Sequence, residues 1–122
     1  AGCLRAVDPN HQITDSVSLV ATPGHSPGHV SVAISSNGSR ALITGDIVHT
    51  PIQFVRPEIT ADRFDSDSDQ AILTRRLMID VIADGDTLVL GTHFPPPTAG
   101  RLRRSPDGIV TFSPHLQSGR PS

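Results

Sequence analysis

The sequence predicts an α+β fold in which a mainly antiparallel sheet carries one long helix packed on it. Several short segments alternate apolar and polar residues, which is typical of half-buried strands. The pair Asn37-Gly38 separates two of these segments and indicates a two-residue hairpin turn. A later segment, residues 68–83, repeats its apolar residues with the period of a helix.

The first half of the chain predicts three strands joined by loops. Residues 1–15 read as a lead-in without a clear period. Residues 16–21 and 30–34 alternate apolar and polar side chains, and residues 41–44 supply the return strand of the hairpin. The third strand therefore delivers Gly45-Asp46 at its far end.

The segment between the third strand and the helix is predicted to be a long loop. Residues 47–67 lack a clear period and contain Pro51 and Pro57. Long loops inside compact domains often carry function. The helix after this loop is expected to be capped by Ser66 or Ser68, with acidic residues in its first turn, where the helix dipole favours them.

The helix is predicted to end near residue 83, with Gly85 in the C′ position. Its polar side consists of four charged residues: Asp69, Arg76, Asp80 and Asp84. Its core side consists of five apolar residues: Ala71, Ile72, Met78, Ile79 and Ile82. Arg75 interrupts the core side, so we expect its side chain either to reach solvent or to find a buried partner.

The last part of the chain predicts further strands. Residues 87–90 form a short strand that delivers Gly91-Thr92-His93. Residues 109–112 and the segment around Leu102 suggest a terminal hairpin, and residues 114–122 a frayed tail. A sheet of this kind with a single helix exposes one apolar face and needs another layer to close its core.

Composition excludes several classes of function. The chain has 122 residues, a formal net charge of -2 and no long block of like charge, so nothing favours a nucleic-acid partner. No apolar stretch approaches the roughly 20 residues that span a bilayer, so we expect no membrane partner. The expected location is the cytoplasm. The chain begins at Ala1 without an initiator Met, so we expect the protein to start upstream.

Candidate metal ligands follow three short apolar runs. His25, Asp46 and His93 each come just after such a run, where a folded sheet would present them on loops at strand ends. Imidazole and carboxylate groups are common ligands of zinc and related metals. Taken singly, each residue could be structural, as a turn histidine, a cap aspartate or a strand-end histidine. Their joint occurrence predicts a metal site.

His25 and His29 have the spacing of a helical zinc pair, but a helix is implausible there. Prolines and glycines surround both residues: Pro23, Gly24, Pro27 and Gly28. The loop must therefore place one histidine precisely and use the other differently.

These motifs resemble the second half of the metallo-β-lactamase-fold hydrolases. The resemblance rests on Thr22-Pro23-Gly24-His25-Ser26-Pro27-Gly28-His29, then Gly45-Asp46 and Gly91-Thr92-His93, and covers about residues 16–112. A finer similarity, to N-acyl-homoserine lactonases and methyl-parathion-hydrolase-like enzymes, rests on residues 46–51, 93–95 and 100–102. The implied fold is half of an αββα sandwich.

The resemblance implies a role for each site residue. His25 would complete the ligand set of a first metal, Asp46 would bridge two metals and be the catalytic carboxylate, and His93 would bind the second metal. His29 would support the loop, and His49 would be a supporting residue or a bystander. The implied cofactor is a divalent metal, most simply two zinc ions, with manganese, iron or cobalt as alternatives.

The first half of the family carries a His-x-His-x-Asp-His motif, and these 122 residues contain no such cluster. We therefore interpret residues 1–122 as a single unit, the C-terminal half of the domain, with the N-terminal metal-motif half absent. One histidine and a shared carboxylate fall short of the three protein ligands of a typical catalytic zinc. The chain alone is expected to bind metal weakly and to catalyse poorly.

Three hypotheses follow. In the first, the chain is part of a metal-dependent hydrolase in which an activated hydroxide attacks a small-molecule lactone, ester, thioester or phosphotriester. Its partner would be the N-terminal half or a second copy of the chain. In the alternative, the chain is a truncated, non-catalytic fragment that forms a homo-oligomer through its uncovered sheet face. A β-rich domain with surface histidines is the third and simplest option.

Overall fold

Six strands form one sheet in the computed structural model, which describes residues 2–59 and 61–116. The strands β1 to β6 are Val17–Ala21, Val30–Ser36, Ser39–Ile43, Leu88–Leu90, Ala99–Arg104 and Val110–Pro114. Neighbours in the sheet follow the chain order, and all pairs are antiparallel except β3 with β4, which are parallel. The predicted α+β class with a mainly antiparallel sheet is confirmed.

The turn between β2 and β3 has the predicted two-residue form. Asn37 and Gly38 have φ angles of 51° and 79°, and they connect strands in which Ser36 pairs with Ser39. Positive φ at both central residues matches the twist of the flanking strands, which is why Asn-Gly is favoured there. This register decides which side chains of β2 and β3 share a face of the sheet.

Three α-helices follow β3 in the described part of the chain: α1 at Ile52–Val55, α2 at Ala61–Phe64 and α3 at Ser68–Ile82. The prediction of a plain loop over residues 47–67 was therefore wrong, because α1 and α2 lie within it. Their short turns depend on tertiary contacts, since the buried Gln53 side chain accepts from the His49 N–H and donates to the Ile59 carbonyl. No helix in the described ranges is long and apolar enough to cross a bilayer.

Both ends of α3 differ from the prediction by one residue. The N-cap is Asp67, whose carboxylate accepts from the Gln70 N–H, and not Ser66 or Ser68. At the other end, Asp84 and not Gly85 takes the left-handed conformation, with a φ of 65°. A tertiary contact compensates for this strain, because the Asp84 carboxylate accepts a hydrogen bond from the backbone of Arg104 at 2.7 Å.

The core lies between α3 and one face of the sheet. Its buried members include Met78, Ile79 and Ile82 from α3, together with Leu42, Val89 and Leu102 from the strands. Three phenylalanine rings, those of Phe54, Phe94 and Phe112, pack within 6.0 Å of one another beside it. Most of the predicted core side of the helix is therefore buried, and this burial holds α3 beside the strand ends that carry the candidate site.

The opposite face of the sheet is apolar and only partly buried. Two ladders of side chains cross four strands there: Leu19, Val32, Ile43 and Leu90 in one, and Val17, Ile34, Ala41 and Leu88 in the other. All eight residues are intermediate in exposure. We call this surface the open sheet face. Because burial of apolar surface stabilises a fold, such a face favours a further layer.

The predicted terminal hairpin is present as β5 and β6. The predicted frayed tail begins later than expected, because Pro114 belongs to β6 and the His115 N–H donates to the Ala99 carbonyl. The rest of the predicted tail, residues 117–122, lies outside the described residues.

Candidate metal centre

Three loops at one edge of the sheet bring the candidate ligands together. The loop at residues 22–29 follows β1, a 3-10 turn at Gly45–Ile47 follows β3, and residues 91–93 follow β4. Because β3 and β4 are parallel, their carboxyl ends are adjacent. The sheet thus delivers His25, Asp46 and His93 to the same place, although the three residues are far apart in the chain.

The carboxylate of Asp46 lies between two imidazole rings. Its Oδ1 atom is 2.6 Å from Nε2 of His93, and its Oδ2 atom is 3.7 Å from Nε2 of His25. The hydrogen bond from His93 holds the pKa of the Asp46 carboxyl below its ordinary value. Burial opposes this shift, and the charges of the nearby rings add to it. Asp46 is therefore an anion whose two oxygens face two different histidines.

His49 completes a row of three rings. Its ring stacks on His93 at 5.2 Å between centroids and lies 5.3 Å from the His25 ring. Its Nδ1 atom is buried and has no hydrogen-bond partner among the described residues, and burial lowers the pKa of this histidine. Asp46, His49 and His93 offer ligand atoms within 4.8 Å of one another. His49 therefore places a third imidazole ring at the cluster.

His29 lies beside the cluster but directs both ring nitrogens elsewhere. Its Nε2 accepts a hydrogen bond from the Asp46 N–H at 2.9 Å, and its Nδ1 contacts the carbonyl and hydroxyl of Thr22 at 3.1 and 2.9 Å. This network assigns the hydrogen to Nδ1. Burial lowers the pKa of His29. His29 therefore holds the backbone of Asp46 and has no lone pair left for an ion.

Two glycines allow the loops to approach this closely. Gly45 has a φ of 62°, and a Cβ atom there would lie 2.9 Å from Nε2 of His29. Gly24 has a φ of 133°, and a Cβ atom there would lie 2.3 Å from the Cα atom of Ala71 in α3. Both positions combine a backbone conformation that favours glycine with a contact that leaves no room for a side chain.

The start of α3 fixes the loop that carries His25. The backbone N–H groups of Ser66 and Asp67 donate to the carbonyls of His25 and Gly24, at 3.1 and 3.0 Å. The hydroxyl of Thr74 donates to the carbonyl of Pro23 at 2.6 Å. Ser66, Asp67 and Thr74 thus hold three consecutive carbonyls of the loop. The position of His25 therefore depends on how α3 packs against this loop.

Sequence reasoning missed Asp65. Its side chain is 0% exposed, with Oδ2 2.7 Å from Nη2 of Arg75 and Oδ1 3.3 Å from Nδ1 of His25. The side chain of Arg75 is 1% exposed, so of the two alternatives for this residue the buried partner is the one observed. The available signal was Arg75 itself, since an arginine within an apolar helix face requires a buried acceptor.

The fold and the cluster together define the class of protein: an α+β half-domain in which carboxylate and imidazole groups converge at the ends of strands. Residues 11–93 match the family model of the metallo-beta-lactamase superfamily, which is more than half of the chain. The chain belongs to this superfamily. The resemblance seen in the sequence motifs is confirmed. No curated protein sequence matches the chain.

Solved structures show the same partial fold. The hydrolase AbOPH of the beta lactamase superfamily is 28% identical, with a TM-score of 0.74 over 86% of this chain and 36% of that one. AidC, a dizinc quorum-quenching lactonase, is 24% identical, with a TM-score of 0.77 over 93% of this chain and 38% of AidC. A probable metal-dependent hydrolase from Staphylococcus aureus is 22% identical, with a TM-score of 0.72 over 91% of this chain and 40% of that hydrolase.

The chain therefore spans between 36% and 40% of the lengths of these three structures. The prediction of half a metallo-β-lactamase sandwich is confirmed as a fold. The second and third similarities, below 25% identity, support the fold alone.

Proposed function

We propose that the chain is the C-terminal part of a metal-dependent hydrolase whose metal centre includes His25, Asp46 and His93. The observation that carries this proposal is the placement of Asp46, with one carboxylate oxygen directed toward each of two imidazole rings. A carboxylate in this position is suited to bridge two ions. His29 is proposed to support the loop, because its two ring nitrogens already have partners.

The donor set fits a divalent metal. Imidazole nitrogen and carboxylate oxygen suit zinc, manganese, iron and cobalt, and the resemblance of the sequence motifs implies two zinc ions in the whole protein. When bound, such ions polarise a carbonyl or phosphoryl group and lower the pKa of a water molecule. The chain's own contribution is a carboxylate that stays ionised, rings held at its two oxygens, and the His49 ring packed against both of those rings. This makes His49 a supporting residue and not a bystander in our proposal.

The substrate class is a small molecule with an electrophilic carbonyl or phosphoryl centre. AbOPH, at 28% identity, is a hydrolase, and the resemblance of the sequence motifs implies lactones, esters, thioesters and phosphotriesters as candidate substrates. We propose that the remaining metal ligands come from outside residues 1–122, and that this chain alone has weak activity or none. Residues 1–122 would then be one structural half of the domain. The small-molecule substrate and the cytoplasmic location stay predictions.

A metal titration of the purified chain tests this proposal. Zinc and cobalt binding is measured by calorimetry for the unmodified chain and for Asp46→Asn, with Asp80→Asn as the control. Asp80 is 73% exposed on α3, so its substitution removes the same charge away from the cluster. We expect Asp46→Asn to weaken binding while Asp80→Asn does not. Equal binding by all three proteins would contradict a metal centre at Asp46.

The second candidate function is self-association through the open sheet face. The observation that favours it is the pair of apolar ladders, which are only partly buried in the described part of the chain. Size-exclusion chromatography with light scattering distinguishes the candidates. A metal-free oligomer without hydrolase activity favours self-association, whereas a monomer that binds zinc through Asp46 counts against it.

A further inference from the structure

We propose that Asp65 is a positioning residue for His25. Its buried carboxylate holds the imidazole with the hydrogen on Nδ1, so that Nε2 presents a lone pair toward Asp46. The proposal rests on the metal centre proposed above and adds a residue to it. No motif in the sequence marked Asp65, which lies in the segment predicted to be a plain loop.

The Asp65 carboxylate is held from one side by a buried cation. Its Oδ2 atom accepts from Nη2 of Arg75 at 2.7 Å, and both side chains are almost completely buried. Arg75 also donates Nε to the Ile47 carbonyl at 2.6 Å and Nη1 to the Pro57 carbonyl at 3.1 Å. A planar guanidinium with three fixed acceptors leaves little freedom of rotation. The second oxygen of Asp65 is thereby aimed at His25.

An ionised carboxylate can only accept a hydrogen bond, which decides the tautomer of the ring it contacts. The contact between Asp65 Oδ1 and His25 Nδ1, at 3.3 Å, therefore requires the hydrogen on Nδ1. In a neutral ring the other nitrogen, Nε2, then carries the lone pair, and it faces Asp46 Oδ2 at 3.7 Å. Two electron-rich atoms that face each other in this way favour a cation between them.

The same segment holds the main chain of His25. The N–H of Ser66, the residue after Asp65, donates to the His25 carbonyl at 3.1 Å. Arg75 binds the carbonyl of Ile47, within the turn that carries Asp46. One buried ion pair thus links the loop of His25 to the turn of Asp46. Carboxylates that orient ligand histidines in this manner typically change metal affinity by about 10–100-fold when they are removed.

The test compares Asp65→Asn with Asp67→Asn. Asn retains the shape of Asp65 but removes its charge. Asp67 is the exposed N-cap two residues later, and asparagine caps equally well there. The nitrogen chemical shifts of the His25 ring are measured by NMR in the metal-free chain, above the ordinary histidine pKa, and are assigned by their loss in His25→Gln. Circular dichroism and thermal unfolding establish that each variant is folded.

In the unmodified chain we expect the hydrogen on Nδ1 of His25. Asp65→Asn should shift the ring toward the other tautomer and weaken zinc binding by about 10–100-fold, whereas Asp67→Asn should leave both unchanged. An unmodified chain with the hydrogen on Nε2 overturns the proposal even if Asp65→Asn does not fold. So does an unchanged tautomer in folded Asp65→Asn. A tautomer that depends on Asp65 in a chain that binds no zinc would support the positioning role and contradict the proposed metal centre.

Discussion

The backbone N–H of Asp46 donates to Nε2 of His29 at 2.9 Å, across 17 residues of chain. This bond joins the loop after β1 to the turn after β3. On the other side of the His29 ring, Thr22 contacts Nδ1, and its hydroxyl also contacts that of Ser31 at 3.0 Å. The carboxylate that faces two histidines is therefore anchored through a third histidine.

His29→Ala should destabilise the fold more than it affects metal binding. The substitution leaves the Asp46 N–H without its acceptor, which costs about 1–3 kcal/mol when such a group is buried. Urea unfolding gives the free energy of unfolding, and a zinc titration gives the affinity. His115→Ala, at an exposed histidine, is the control and should change neither. If His29→Ala abolished metal binding as completely as His25→Ala, the two roles would have to be exchanged.

Substitution of each proposed ligand should reduce metal content and turnover of the whole protein. His25→Ala, Asp46→Ala and His93→Ala each remove a donor atom at the cluster. The loss should exceed the roughly 10–100-fold typical of residues that only orient a ligand. Metal analysis and hydrolysis assays on lactone, ester and phosphotriester substrates provide the measurement. Unchanged zinc stoichiometry and turnover in all three variants would rule out the site assignment.

Gly45→Ala should cost more stability than Gly38→Ala. Both glycines have positive φ, 62° and 79°, so both substitutions introduce backbone strain of about 1–2 kcal/mol. Only at Gly45 would the new methyl group also meet another residue, the ring of His29, whereas nothing lies within 4 Å at Gly38. Thermal unfolding of both variants compares them directly. Equal losses of stability would mean that the His29 ring moves aside without a measurable loss of free energy.

Arg75→Met should destabilise the chain by about 3–5 kcal/mol, the usual effect of leaving one partner of a buried ion pair uncompensated. The carboxylate of Asp65 would remain buried beside the His25 ring and without the guanidinium. Arg76→Met provides the matched control, because the next residue along α3 is exposed. Denaturant unfolding of the two variants should separate them clearly. Similar unfolding midpoints would show that water or a protonated Asp65 replaces the guanidinium at little cost.

Stability of the metal-free chain should fall as the pH drops below about 6.5, the ordinary pKa of histidine. Burial lowers the pKa of His49, so the folded state binds fewer protons than the unfolded state in that range. Since stability rises with pH wherever the unfolded state binds more protons, acid favours unfolding. The rings of His25 and His93 reinforce this shift, and the carboxylates of Asp46 and Asp65 oppose it.

Urea unfolding with a chelator present, from neutral pH to pH 5, measures this dependence. His49→Gln removes one titrating ring and should flatten the slope of unfolding free energy against pH in the range of histidine titration. His115→Ala should retain the slope of the unmodified chain. A slope that is the same in His49→Gln would mean that His49 does not contribute to it.

Much of the sheet could be predicted because its signals are local. Alternating polarity in residues 30–34 and the Asn37-Gly38 pair act between neighbours in the chain, and the hairpin of β2 and β3 follows from them. The short helices α1 and α2 could not be predicted in this way. Each has four residues, too few for a helical period, and Gln53 holds the region by contacts with His49 and Ile59.

The candidate metal centre also has one part that the sequence predicts and another that depends on tertiary packing. The sequence by itself determined that His25, Asp46 and His93 stand at strand ends, because the apolar run and the glycine-containing turn before each residue are properties of the chain. Only the tertiary structure decided which atoms meet. The contact of Asp65 with His25 spans 40 residues, and it exists because α3 packs against the 3-10 turn and the short helices α1 and α2, which encloses Arg75 and brings the carboxylate to the loop. Contacts of this range depend on how whole elements pack, and no pattern of neighbouring residues encodes them.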